Sequence, residues 1–263
     1  MFLIAAISKN RDLIRSLVAR DLRGRYTGSL FGAAWTVLTP LSMLLIYTIV
    51  FSVIMRANPG EQYKHVPFAV WLLTGILPWT FLVESASQGV VSITSNSVLI
   101  KKSLFDKDVL PLCVVAANLV THGVGLVVLV VIMLCCGIIP GPAALFLPVI
   151  AAVMFVFVLG WAYVLAALNV YIRDIGQVVG LALQLGFFLT PIAYPEDLAP
   201  AWLSVAMRFN PYFFFVRFYR EVLLLDRLPD LVPLAAVAAA SVVFLLVAKR
   251  VFDRLAPDFA DVL

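Results

Sequence analysis

VLPLCVVAANLVTHGVGLVVLVVIMLCCGIIPGPAALFLPVIAAVMFVFVLGWAYVLAALNVYI, residues 109–172, contains no Asp, Glu, Lys or Arg. The hydrocarbon core of a bilayer takes about 20 apolar residues as one helix, so this run is too long for a single crossing. Gly137, Pro140, Gly141 and Pro142 fall inside it, and glycine and proline together mark a turn. The stretch therefore predicts two spans, 109–136 and 143–172.

Outward from that pair, four more runs are long enough. Residues 30–55 carry no charge, and 66–91 carry only Glu84. Residues 175–195 and 231–248 are uncharged. Six spans place both ends of the chain on one side. Composition agrees: of 263 residues 63% are hydrophobic and 13% charged, with a mean hydropathy of +1.05. A soluble domain is about half apolar and a quarter charged, and one core of this size cannot hide the excess. The chain reads as an all-α integral membrane protein. Disorder and a soluble nucleic-acid binder are excluded. The net charge of +4 does not imply nucleic acid, because excess Lys and Arg in a membrane protein mark cytoplasmic loops.

The basic residues choose the side. Thirteen lie before span one, between spans two and three, between four and five, and after six; six lie opposite. Both termini are therefore predicted in the cytoplasm. Arg208, Arg217, Arg220 and Arg227 go against the rule, all in the last outer segment. That segment, 196–230, is rich in aromatics, among them Trp202, Phe209, Tyr212 to Phe215, Phe218 and Tyr219. It is too polar to span and too apolar for a plain loop. Two short helices dipping into the outer leaflet and broken at Asn210-Pro211 fit it, as does an interfacial aromatic belt.

Residues 1–29 are read as a cytoplasmic amphipathic helix. Leu13, Ile14, Leu17, Val18 and Leu22 recur at helical spacing, with Arg11, Arg15, Arg20, Asp21, Arg23 and Arg25 at the other positions. Its basic face suits anionic headgroups or an acidic partner. The start FLIAAI is too short for a signal-peptide core and is soon followed by Lys9, so span one is expected to serve as an uncleaved insertion signal. Cys113, Cys135 and Cys136 show no zinc-ligand spacing and read as packing residues.

The motifs of catalysis are missing from the pattern. No G-x-x-x-x-G-K-[ST] loop, G-x-S-x-G elbow or H-E-x-x-H helix occurs. Asn118 and His122 share a helix face, which predicts hydrogen bonding between helices. Glu84 is the lone acid inside a span; it either lines a pathway, braces a helix or reaches water at the cytoplasmic end. One acid is poor support for ion coupling. What remains is a membrane machine without its own power source, with a short charged cytoplasmic loop, KKSLFDKD, from Lys101 to Asp108, on which a partner can push.

Several segments then converge. RDLRGRYTGSLFGAAW (20–35) leads into span one, LNVYIRDI (168–175) ends span four, QLGFFLTPIAYP (184–195) closes span five, NPY (210–212) follows, and a short charged tail runs from 249 to 263. In this order, with six spans, the chain resembles the permease subunit of polysaccharide ATP-binding-cassette exporters, which handle O-antigen, capsule and teichoic acid chains. The resemblance covers nearly the whole sequence. It implies a homodimer in the bacterial inner membrane, working with two copies of a separate cytoplasmic ATPase that holds the ATP and magnesium, and no cofactor in this chain. It implies that the loop 92–108 carries a coupling helix docking on the ATPase, at Asn96, Leu99, Lys101, Lys102, Phe105 and Asp106. It also implies that the segment after span five helps close the channel, and that the substrate is a glycan on undecaprenyl pyrophosphate. A sugar polymer slides only where no single site grips it, and weak repeated stacking on aromatic faces suits that. Trp35, Tyr47, Phe51, Trp79, Phe187, Phe188 and Tyr194, with Glu84, are the expected channel lining. Arg20, Arg23 and Arg25 match phosphate oxygens and also anionic lipid. Two other readings are an ABC exporter of a drug or small lipid, and a cell-envelope membrane transferase.

Overall fold

The computed structural model describes residues 11–25, 28–102 and 106–263, and among them the regular structure is helical with no strand. In chain order the helices are α1 (Arg11–Gly24), α2 (Trp35–Tyr47), α3 (Phe68–Val91), α4 (Ser97–Lys102), α5 (Val109–Cys135), α6 (Leu147–Tyr171), α7 (Ile175–Leu189), α8 (Ala201–Arg208), α9 (Pro211–Leu224), α10 (Leu231–Leu255) and α11 (Phe259–Val262). α2 continues as a π-helical stretch, Thr48–Ile54. Among the described residues five stretches are long and apolar enough to cross a bilayer: Val37–Ile54, Phe68–Val91, Val109–Cys135, Pro142–Tyr171 and Leu231–Val262.

The fifth of the six runs read from sequence behaves differently. α7 has 15 residues and stops at Leu189, short of residue 195. Thr190 turns extended, with φ −111° and ψ 135°. Pro191 cannot donate a backbone hydrogen bond and pushes the residue before it out of the helical region. α10, by contrast, runs past residue 248 to Leu255. Lys249 is held there by Asp108 at 3.5 Å and by Asp253 one turn on.

α3 is the central helix. Most of its side chains are buried, and α5, α6, α7 and α9 pack around it. Its crossing with α6 is close because Gly89 lacks a side chain: a Cβ there would lie 3.2 Å from the Ala162 Cα. α6 in turn packs along α10, its most extensive partner. α1 lies against α5 with Leu17 buried and Leu13, Ile14 and Val18 packed on the core, the apolar stripe that the sequence periodicity anticipates. α2 and α7 bury none of their described side chains.

The break between α5 and α6 falls where glycine and proline place it. Gly137 has φ +76°, and Ile138 N–H returns to the Met133 carbonyl at 2.8 Å, a Schellman closure. Beyond it, the Asp226 carboxylate accepts from the Ala143 N–H at 2.9 Å and caps the turn Pro142–Phe146. A Cβ on Gly141 would stand 2.0 Å from the Asp226 Cγ. Gly141→Ala is therefore expected to displace the cap and destabilise the fold by about 1–3 kcal/mol. The melting midpoint in detergent should fall, whereas Gly123→Ala, which meets nothing within 4 Å, should leave it unchanged.

Candidate functional site

At the C-terminal end of α3, polar groups from three helices meet. Arg25, just past α1, pairs with Asp21 at 2.7 Å and donates to Gln88 Oε1 at 2.8 Å. Its other terminal nitrogen lies 3.8 Å from Glu84. Gln88 Oε1 also accepts from Asn118 Nδ2 on α5 at 3.3 Å. Glu84 is thus partnered across helices while its carboxylate stays partly open to the surroundings. Arg20 and Arg23 face elsewhere, sharing an open groove on α1 with Arg15. The three arginines grouped in the sequence reading are divided by the structure: two on an exposed basic face, one turned inward.

Above this junction a cavity of about 160 Å³ lies between α2, α3 and α5. Trp35, Thr39 and Met43 form one wall, Ile76, Thr80 and Glu84 a second, Asn118 and His122 a third. Trp35 is half exposed and donates to Ser29 Oγ at 3.0 Å. His122 Nε2 lies 2.7 Å from the Tyr219 hydroxyl on α9. The expectation that Asn118 and His122 bond between helices holds, each to a different neighbour. Asn118 Oδ1 is buried and meets no hydrogen-bond partner among the described residues.

A second recess runs between α3 and α7. Trp79, Val83, Ser87, Gln184, Phe187 and Phe188 line a groove of about 550 Å³. Trp79 meets Phe187 at 6.1 Å between ring centroids, and Phe187 meets Phe188 edge-on at 5.4 Å. Trp79 is fixed from behind by Tyr212, edge-on at 5.5 Å, whose hydroxyl donates to the Pro78 carbonyl at 3.0 Å. Phe188 is 68% exposed. Tyr194 closes the same end, its hydroxyl donating to the Phe188 carbonyl at 2.7 Å. Four of the nominated aromatics therefore gather along α3 and α7. Tyr47 and Phe51 go elsewhere, half-buried in a row with Phe68 and Trp71.

On the loop between α3 and α5, α4 is a six-residue helix with Ile100 buried and Val98 and Lys101 exposed. Asn96 precedes it, donating to the Ser92 carbonyl at 2.9 Å and accepting from Arg20 at 3.5 Å. Leu99 is half-buried and Lys102 ends the helix; Phe105 lies outside the described residues and Asp106 is exposed.

Sequence reasoning missed Arg220. It is 2% exposed, with its guanidinium carbon 3.7 Å from the Trp71 ring centre. Nη1 and Nη2 donate to the carbonyls of Pro191 and Ile192 at 2.8 and 2.9 Å. An arginine does not lose its proton in proteins, so the guanidinium is a buried cation. A signal was present: four arginines on the wrong side of the charge rule. Of these, Arg220 is a buried clamp and Arg217 is ion-paired with Glu221 at 2.8 Å.

Around the clamp, α8 and α9 meet at Asn210-Pro211, where the sequence placed the break. Asn210 Oδ1 caps the Tyr212 N–H at 3.0 Å, and its amide donates to Thr190 Oγ1 at 2.8 Å. Pro at the first helical position completes the start of α9.

Residues 12–224 match the family described as ABC-2 type transporter. The chain is 35% identical to the O-antigen export system permease protein RfbA of Myxococcus xanthus, over 98% of each chain. It is 28% identical to the protein of the same name from Klebsiella pneumoniae, over 96% of this chain and 95% of that one.

Proposed function

Because this chain belongs to the ABC-2 type transporter family, we propose that it is the permease subunit of an exporter of lipid-linked polysaccharide of O-antigen type, driven by ATP hydrolysis in a separate subunit. The likeness to permeases named for O-antigen export, sustained along almost the whole chain, carries the reading. The structure adds physical support in the aromatic groove of Trp79, Phe187 and Phe188.

In this reading two copies assemble in the inner membrane, with both termini cytoplasmic and α7 plus its extended continuation as the sixth crossing. The unburied apolar faces of α2 and α7 are the natural walls for a second copy and for lipid. α4 is the contact with a cytoplasmic ATPase, which holds ATP and magnesium. α8 and α9 form the outer re-entrant pair. The polymer is carried on a pyrophosphate lipid, whose anionic head suits the Arg15, Arg20 and Arg23 groove through charge-assisted bonds.

The groove suits a sliding polymer because its rings present faces and edges without a fixed set of hydrogen bonds. Phe187→Ala with Phe188→Ala should remove about 1 kcal/mol of contact per ring and slow export several-fold, while the ATPase stays bound. Export at the native rate in that double variant would remove the groove from the pathway.

The whole reading is tested by purifying the tagged chain in mild detergent and assaying what accompanies it. A stoichiometric ATPase whose hydrolysis rises with lipid-linked polysaccharide, and not with hydrophobic drugs, is expected. An intact sample without ATPase overturns it, and stimulation by drugs alone redirects it to a small-amphiphile exporter.

A further inference from the structure

The cytoplasmic loop between α3 and α5 is fastened at its downstream foot to the last residues of the chain. Lys107 Nζ donates to the Ala256 carbonyl at 2.6 Å and reaches that of Pro257 at 3.5 Å. The same ammonium stands 5.8 Å from the centre of the Phe259 ring. Its neighbour Asp108 pairs with Lys249 of α10, and the Asp108 carbonyl accepts from the Tyr163 hydroxyl of α6 at 3.2 Å.

The tail is itself firmly seated. After α10 a 3₁₀ turn, Ala256–Asp258, leads into α11. Phe259 is wholly buried, with ring contacts to Phe252 at 5.4 Å and Tyr171 at 6.2 Å. The Tyr171 hydroxyl donates to the Leu255 carbonyl at 3.1 Å. α11 then packs against α4.

α4 cannot hold its own position. Six residues are far too few for an independent helix, since nucleation costs more than so few bonds return. Ile100 is the one buried side chain among those described in it. Its placement must come from what it leans on, and the tail is part of that support. The Lys107 bonds strengthen the seat, because a cation favours the carbonyl end of a helix.

We propose that residues 256–263 form a strut that sets the position of α4, with Phe259 and Lys107 as its positioning residues. A push on α4 then reaches α10 and α6 directly through the tail, besides travelling along the chain into α3 and α5. The strut rests on the permease reading only for its consequence in transport; its mechanical part stands on the contacts alone.

Two variants of the full chain test it. Phe259→Ala removes the buried ring. Lys107→Met removes the carbonyl bonds without hollowing the core, and so guards against a misfolded Phe259 variant. The first readout is amide exchange at 97–102 in the detergent-purified chain, with the exchange of α3 as internal reference. Exchange there should rise about tenfold in both variants, while α3 keeps its protection, and Phe259→Leu and Lys107→Arg should restore it. Unchanged exchange at 97–102 in Lys107→Met overturns the strut, as does a parallel loss of protection throughout α3 in both variants.

The second readout uses the complex reconstituted in lipid with its ATPase. Both variants should retain the ATPase and hydrolyse ATP within about twofold of native, but export about tenfold less per ATP. Native export per ATP in an assembled Lys107→Met complex overturns the role in coupling. Raised exchange in a chain that binds no ATPase upholds the strut and overturns the permease reading, so the two failures are told apart.

Discussion

Arg220→Ala is expected to be among the most damaging single substitutions in this protein. The side chain sits over Trp71 and ties the carbonyls of Pro191 and Ile192 to α9. Truncation removes a desolvated cation–π contact of about 2 kcal/mol. It also leaves two carbonyls without donors inside the bundle, each at about 1–3 kcal/mol. The melting midpoint in detergent should fall by about 10 °C or more. Arg220→Lys should recover only part of this, because a point ammonium cannot serve two carbonyls and a ring with the geometry of a planar fork. A variant that inserts, melts like the native protein and exports normally would remove the clamp from this account.

The second large effect is expected at Arg25, and it separates that residue from its neighbours. Arg25→Glu sets a third carboxylate against Asp21 and Glu84 and takes from Gln88 the nearer of its two donors, leaving it Asn118 alone. Water reaches Asp21 and Glu84, so the cost is discounted to about 1–3 kcal/mol. That suffices to loosen α1 from the membrane bundle. Proteolysis between residues 11 and 25 should become faster, and export should fall about tenfold. Arg20→Glu with Arg23→Glu changes two exposed positions, gives up the long, water-exposed bond from Arg20 to Asn96, and should cost less stability than Arg25→Glu. If these two receive an anionic headgroup, export falls in the double variant without the proteolytic change. Equal behaviour of the two variants would mean that the inward and outward arginines do one job.

Much of this was written locally in the chain, and the parts that were not have a common cause. The break at Gly137–Pro142 was legible because only glycine reaches the left-handed conformation without strain and proline cannot continue a helix. The start of α9 was legible for a similar reason, since Asn210-Pro211 carries its own cap. The early stop of α7 was not. Ile192, Ala193 and Tyr194 read as apolar as the helix before them, and the groups that hold the extended backbone, Asn210 and Arg220, lie about 20 to 30 residues later. The site divides the same way. Aromatic content announced a lining, yet which rings share a groove depends on how each helix is rotated against its neighbours. Tyr47 and Phe51 therefore left the set while Trp79, Phe187 and Phe188 stayed together. Asn118 and His122 were paired to one face by spacing alone, and their separate partners became visible only with α3 and α9 in place.

The near-contact of Gly89 with Ala162 has a consequence for motion. Backbones that touch cannot slide past one another without lifting apart, and close-packed interiors shift between discrete arrangements more readily than they deform. α3, α6 and α10 therefore travel as one piece. α2 and α7, whose described side chains are never fully enclosed, can swing against that piece with less packing to break, although α7 must part Phe187 from Trp79. An opening wide enough for a chain of sugars is reached most cheaply by parting these two walls, leaving the spine of the molecule unmoved.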